Sequence, residues 1–257
     1  MVSDQGLVEK LVESQVINAS EIVGWTHIEG KDLPRKLDDV ILWEVFFDSV
    51  GNINPEAAKH SDFKYQVKKD LDLILNGGGS LLDRNEAFTD MVKGKYSLNY
   101  GQFNQDITIR LIDFDNLENN SYIVSNTVVY PRSKEEGGSE FDIVYYINGI
   151  PLVVCETKTA FRRSITAYDG AVDIADVYIP TCERFFTTNL FNFATEGKRL
   201  LYAPIGMPAI KWGPWLLDGL KETGILEDRP GRFSFLLGKA RTFALNRKLT
   251  TFILHPR

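Results

Sequence analysis

Residues 139–160, SEFDIVYYINGIPLVVCETKTA, set two β-prone apolar runs on either side of Asn148-Gly149, a dipeptide suited to a hairpin turn. A hairpin bound for a hydrophobic core has no evident use for charge, yet Asp142 stands on the first run and Glu156 and Lys158 end the second. Side chains two apart on a strand share a face, so Glu156 and Lys158 point the same way. Whether Asp142 joins them depends on the turn. A two-residue turn sets Asp142 opposite Cys155 and on the wrong face. One extra residue in the loop, as in a type I turn with Gly149 in the left-handed conformation and a bulge, sets it opposite Glu156. The expectation is conditional: the bulged loop accompanies a site, the tight one does not.

Two carboxylates facing each other across a strand pair repel and weaken the sheet. A divalent cation turns that cost into binding. Oxygens from Asp142 and Glu156, a strand carbonyl such as that of Thr157, and water make the donor set that Mg²⁺ favours. Metal lowers the pKa of a bound water and neutralises charge on a phosphoryl group, while Lys158 positions or deprotonates the attacking water or stabilises the pentacoordinate phosphate. The sum is metal-assisted phosphodiester hydrolysis. The alternative is a surface Glu/Lys pair of small energetic value, with Asp142 a solvated strand end. The tripeptide [DE]-x-K occurs four times, at Glu29/Lys31, Asp62/Lys64, Glu156/Lys158 and Glu196/Lys198, so spacing alone does not decide. Only the Glu156 copy ends a buried-type strand and follows an aspartate on the preceding strand.

The rest of the chain narrows the chemistry. A length of 257 residues and a 44% hydrophobic composition suit one large domain or two modest ones with a sizeable core. A net charge of −6 argues against nucleic-acid binding by bulk electrostatics, although bound metal brings its own positive charge to an acidic site. His27, His60 and His255 are too scattered for zinc or histidine-based acid/base schemes. Cys155 and Cys182 read as reduced core thiols. There is no apolar run of membrane-spanning length and the N-terminus lacks signal-peptide blocks, so a cytoplasmic location without a membrane partner is expected. NGGGSLLDR at 76–84 lacks phosphate-loop spacing; it reads as one helix ending and another opening at Ser80, with Asp83 completing a capping box. No Walker motif or G-x-S-x-G elbow is present.

Periodicity orders the elements. Residues 5–18 and 38–50 read as helices, the second capped near Asp38 or Asp39, and 61–95 as two more. From about residue 105 the period changes to two, with ITIRLIDF, SYIVSNTVVY, FDIVYYI and IPLVVCETK as strands, then a helical option over RRSITAYDGAVDIADVYIP, then strands in RFFTTNLFNFAT and RLLYAPI. The fold class predicted is α/β (α+β), a mixed central sheet flanked by helices with an N-terminal helical elaboration over 1–100 and a sheet core over 105–205. Residues 213–257 read as a helical extension.

D-x13-E-x-K across an apolar hairpin resembles the PD-(D/E)xK nuclease core, and NGIPLVVCETK is similar to the NGLPLVxIExK signature at the N-terminus of type I restriction enzyme R subunits. NINPE at 52–56, RNEAFTDMVKG at 84–94, YIVSNTVVYPR before the motif, IPTCERFFTTNLFNFATEGKRLLYAPIG after it and the closing LLGKARTFALNRKLTTFIL fall in the order that family shows. The resemblance implies a restriction-endonuclease-like fold over 1–212 that cuts duplex DNA with Mg²⁺, followed from 213 by a stretch leading to a motor domain absent from this chain, where ATP would be used. It implies methyltransferase and specificity subunits as partners. By carry-over Asp142 and Glu156 are metal ligands and Lys158 is the catalytic lysine. A glutamate on the first helix often completes such sites, and Glu9 is the first candidate, with Glu13 behind it. Arg162 and Arg163 are candidates for phosphate contact. The family's Q-x-x-x-Y after the lysine has no counterpart in TAYDGAVDIADVY, and Glu140 stands where arginine is usual. Two other readings stay open: a stand-alone nuclease of the same fold in repair or phage defence, and a non-catalytic docking domain derived from it.

Overall fold

The computed structural model describes residues 4–100, 105–133, 137–159 and 164–214, with side chains from residue 10 in the first stretch and from residue 106 in the second. Of the helical extension expected over 213–257, Gly213 and Pro214 are instead a short strand paired to the main sheet, and the rest lies outside the described residues. Helix α1 (Asp4–Ile22) leads into strand β1 (Thr26–Glu29), followed by α2 (Trp43–Ile53), α3 (Pro55–Ala58), α4 (Phe63–Leu75) and α5 (Leu81–Asp90). A small antiparallel ribbon of β2 (Ser97–Tyr100) and β3 (Gln105–Thr108) precedes the main strands β4 (Tyr122–Pro131), β5 (Gly138–Ile147) and β6 (Ile150–Thr157). Helix α6 (Ala167–Val172), a π-helical stretch over Asp173–Tyr178, α7 (Ile179–Thr181) and α8 (Glu183–Phe186) then cross to β7 (Phe191–Thr195), β8 (Leu200–Pro204) and the two-residue β9 (Gly213–Pro214).

The main sheet has the order β1-β4-β5-β6-β7-β8-β9. It is mixed: β1 with β4 and β6 with β7 run parallel, and the other neighbours run antiparallel. The parallel β6/β7 pair requires a crossover, which α6 and the segment after it supply. Every residue of β6 and of β7 is buried, as central strands covered on both faces must be. Among the described residues no helix is long and apolar enough to cross a membrane.

Where short-range physics rules, structure and expectation coincide. Ser80 caps α5 and accepts from the Asp83 N–H, while the Asp83 carboxylate returns the contact to the Ser80 N–H, the reciprocal box expected from NGGGSLLD. Both cysteines are free and buried. Three expectations change. The strand expected over RFFTTNLFNFAT begins only at Phe191; Glu183–Phe186 is the short helix α8, in which the consecutive Phe185 and Phe186 both pack on Phe141, as neighbours on a strand could not. The second helix starts at Trp43 rather than near Asp38, because Val40, Ile41 and Leu42 are buried ahead of it and the Leu42 N–H donates to the Gly149 carbonyl at 2.8 Å. Only the start of ITIRLIDF is strand, and it pairs with β2 outside the main sheet. Its remainder is loop that buries Ile109, Leu111 and Ile112, and the Asn54 side-chain amide stands in for a strand partner, donating to the Arg110 carbonyl at 2.7 Å and accepting from the Arg110 N–H at 2.8 Å.

Candidate active site

The β5–β6 hairpin resolves the conditional turn in an unexpected way. Asn148 (φ 51°) and Gly149 (φ 75°) are both left-handed and Ile147 pairs with Ile150, so the loop is the tight two-residue type I′ turn. The extra residue lies further along. Tyr146 pairs with Pro151 but Tyr145 pairs with Val153, leaving Leu152 as a bulge in β6. Pro151 has no N–H to give the ladder, which is why the irregularity settles there. Beyond it Ile143 faces Cys155, and the next outward positions are Asp142 and Glu156. The expectation that a two-residue loop sets Asp142 opposite Cys155 is therefore corrected: loop and bulge are separate devices, and both are present.

The surroundings of the turn forbid a longer loop. The Asn148 amide donates to the Leu111 carbonyl and to Asn120 Oδ1, and its Oδ1 accepts from the Ser121 N–H. A Cβ on Gly149 would stand 2.7 Å from the Leu42 carbonyl oxygen. The hairpin is thus held at its tip and offset by one residue at its waist, and the offset aligns the carboxylates.

At the open end of the hairpin the β5–β6 ladder stops, and the Asp142 side chain takes over from it. Asp142 Oδ2 accepts from both the Thr157 N–H and the Thr157 hydroxyl, each at 2.7 Å. Glu156 is 3% exposed; its Oε1 accepts from Lys158 Nζ at 2.7 Å and lies 3.4 Å from the Tyr178 hydroxyl, while its Oε2 is buried without a hydrogen-bond partner among the described residues. Lys158 Nζ also donates to Asp173 Oδ2 at 2.7 Å. Burial raises the Glu156 carboxyl, the neighbouring Asp142 charge adds to this, and Lys158 offsets only part, leaving it pushed up to about 8. Burial likewise raises Asp142 against the two Thr157 hydrogen bonds. For Lys158 burial works downward, but Glu156 and Asp173 outweigh it and hold the ammonium above the ordinary lysine value.

The opposite flank is strained. Thr127 has φ 54°, a left-handed conformation that β-branched residues rarely adopt, and it sits where the β4–β5 register places it against Asp142. Gly30 presses on it from the segment after β1; a Cβ there would meet the Thr127 carbonyl oxygen at 2.4 Å. Next to it, the Asn126 amide donates to Glu13 Oε1 at 2.8 Å. Burial raises Glu13 and the Asp142 charge raises it further, so Glu13 stands within electrostatic reach of Asp142. The side chain of Glu9 lies outside the described residues, as do Arg162 and Arg163.

The structure therefore brings Asp142, Thr157, Glu156 and Lys158 together at one end of one hairpin. Two participants carry no signal in the sequence pattern: Asp173 and Tyr178, both on the π-helical stretch after α6. Both reach the site from the helical segment after Lys158, and no motif spacing marks them. Among the described residues no three side chains of the His, Cys, Asp and Glu set cluster closely enough to enclose a metal. Two carboxylates, one with a buried oxygen that no described residue satisfies, suit instead a hard cation that keeps much of its water; they do not suit zinc.

Similarity to known proteins gives the family. Residues 6–203 match the family model described as type I restriction enzyme R protein N terminus. The chain is 30% identical over 222 residues to the type I restriction enzyme HindI endonuclease subunit of Haemophilus influenzae, covering 81% of this chain and 20% of that protein. It is 27% identical over 172 residues to the putative type I restriction enzyme MjaIXP endonuclease subunit of Methanocaldococcus jannaschii, covering 63% and 16%. It is 24% identical over 188 residues to the putative MjaVIIIP endonuclease subunit of the same organism, covering 71% and 17%. The chain thus spans a fifth or less of the length of these relatives. With a family match over most of its length, and a mixed sheet consistent with a PD-(D/E)xK-like core, the chain belongs to the N-terminal region of type I restriction enzyme R subunits.

Proposed function

We propose that this chain is the Mg²⁺-dependent endonuclease domain of a type I restriction R subunit, hydrolysing phosphodiester bonds of unmethylated foreign duplex DNA within an ATP-driven translocating complex. The observation that carries the reading is the bulge at Leu152, which aligns Asp142 with Glu156 beside Lys158 at a mutually repulsive, desolvated position. A fold that served structure alone would gain by replacing such a pair with apolar residues. Residues 1–212 form the nuclease unit in this reading, and 213–257 lead toward the motor; methyltransferase and specificity subunits choose the DNA.

Asp142 and Glu156, with the Thr157 carbonyl, would hold the cation, and Glu13 stands behind them. When bound, Mg²⁺ supplies Lewis acidity and charge neutralisation at the scissile phosphate. Thr157 fixes the Asp142 rotamer through two hydrogen bonds, so the carboxylate is oriented before any ligand arrives. Lys158, held between Glu156 and Asp173, stands where it orients the attacking water and stabilises negative charge on the phosphate.

The test uses the full-length R subunit assembled with its methyltransferase and specificity subunits, unmethylated plasmid, Mg²⁺ and ATP. Asp142→Ala, Glu156→Ala and Lys158→Ala are expected to abolish cutting while ATP hydrolysis persists. Cutting at the parent rate by all three would overturn the assignment.

A further inference from the structure

We infer that Asp173 is a positioning residue that takes over the Lys158 ammonium when Glu156 turns to the metal; this rests on the metal-site reading above. Lys158 Nζ sits 2.7 Å from Glu156 Oε1 and 2.7 Å from Asp173 Oδ2, so it bridges two acids of different surroundings. The Glu156 side chain is 4% exposed and that of Asp173 is 38% exposed. Glu156 is one of the two carboxylates offered to the cation, and a cation that takes its oxygens competes with the ammonium for them. Without a second acceptor, Lys158 would have to be expelled to solvent or remain beside a dication. Asp173 removes that conflict: it holds the lysine at the site with no motion of the main chain.

The backbone is built for this contact. In an α-helix, residues five apart stand about 140° apart around the axis, so Asp173 and Tyr178 would face different ways. A π-helical turn closes i to i+5 and brings them to one side, and π-turns recur at functional sites. The stretch over Asp173–Tyr178 is such a turn, and from it Asp173 reaches Lys158 while Tyr178 reaches the same Glu156 oxygen that Lys158 uses. Gly170, one turn earlier, lets the helix settle on the site: a Cβ there would stand 3.2 Å from Glu156 Cγ.

The experiment is a double-mutant cycle read by calorimetric titration of the whole chain with Mn²⁺, folding being checked by circular dichroism. Asp173→Asn is expected to weaken Mn²⁺ binding about three- to tenfold, because Lys158 then has Glu156 as its sole acid and competes harder for it. Lys158→Met is expected to strengthen Mn²⁺ binding, and adding Asp173→Asn to it should change the affinity less than about twofold. Asp173→Glu, which restores an acceptor, should recover most of the loss. Equal weakening by Asp173→Asn with and without Lys158 would make Asp173 a metal ligand and overturn the proposal. Unchanged affinity in Asp173→Asn would overturn it too. Absence of Mn²⁺ binding by the parent protein would remove the metal-site reading and this inference with it, whereas parent binding lost in Glu156→Ala but kept in Asp173→Asn would remove the inference alone.

Discussion

Glutamine in place of Glu156 removes a charge that the fold buries beside Asp142, and the structure sets how much that charge costs when no metal is bound. The carboxyl moves from an ordinary value of 4.5 to about 8 on folding, burial being the larger cause and Asp142 the next. Because the folded carboxyl holds its proton more tightly than the unfolded one, its contribution to stability falls as pH rises from about 4.5 to about 8 and is level outside that window. That gap corresponds to about 5 kcal/mol across the window, of which about 3 kcal/mol is already lost at pH 7. Lys158 loses a charged partner in the variant and keeps Asp173, so a net gain of about 1–3 kcal/mol near neutral pH is expected for Glu156→Gln. Urea denaturation in EDTA at about pH 5.5, about pH 7 and about pH 8.5 measures it: the advantage of the variant should widen with pH. Adding Mg²⁺ at ten times its dissociation constant should return about 1.4 kcal/mol to the parent and nothing to the variant. Parallel stability-pH curves for the two proteins, or a parent that gains on its variant as pH rises, would show that the buried charge is not what destabilises the site.

Three further substitutions test the scaffold. Gly149→Ala must place a Cβ 2.7 Å from the Leu42 carbonyl oxygen at a φ of 75°, and a loss of about 2–4 kcal/mol is expected in urea denaturation. Asn148→Ala leaves the Ser121 N–H and the Leu111 carbonyl without their buried partner, and a similar loss should appear in thermal unfolding as a lower midpoint. Gly170→Ala puts a methyl 3.0 Å from Ala194 Cβ and 3.2 Å from Glu156 Cγ; Mg²⁺ affinity by calorimetry should drop about tenfold while stability changes by less than about 1 kcal/mol.

How far a feature is legible in the residues depends on the range of the forces that make it. The period of two puts Glu156 and Lys158 on one face in any strand, and the structure has their charged ends in contact at 2.7 Å. The box of Ser80 and Asp83 spans a single helical turn, so the residues NGGGSLLD suffice to announce it. The hairpin is visible in the Asn-Gly between two apolar runs. Its role as the mount of the charges is visible too, because apolar strands do not end in three charges without cause.

Other features depend on partners distant in sequence. Asp142 meets Glu156 because the strand slips one residue at Leu152, beside a proline, while Leu42, Leu111, Asn120 and Ser121 hold the turn to two residues. No local rule weighs those contacts against the longer loop. The strand β1 is four residues at a sheet edge, too short to show a period, and it exists because β4 offers it a parallel ladder. The Asn54 amide stands in for a strand partner at Arg110 from 56 residues away. Asp173 and Tyr178 both reach the site from a stretch wound with i to i+5 closure, a departure from the α-helix that periodicity does not announce. Which hairpin carries the charges, and which two of them must share a face, is thus settled by residue order, since both follow from strand geometry. Register, the place of Asp142 beside Glu156 and the second partner of Lys158 are settled only on folding, since each is set by contacts between segments far apart in the chain.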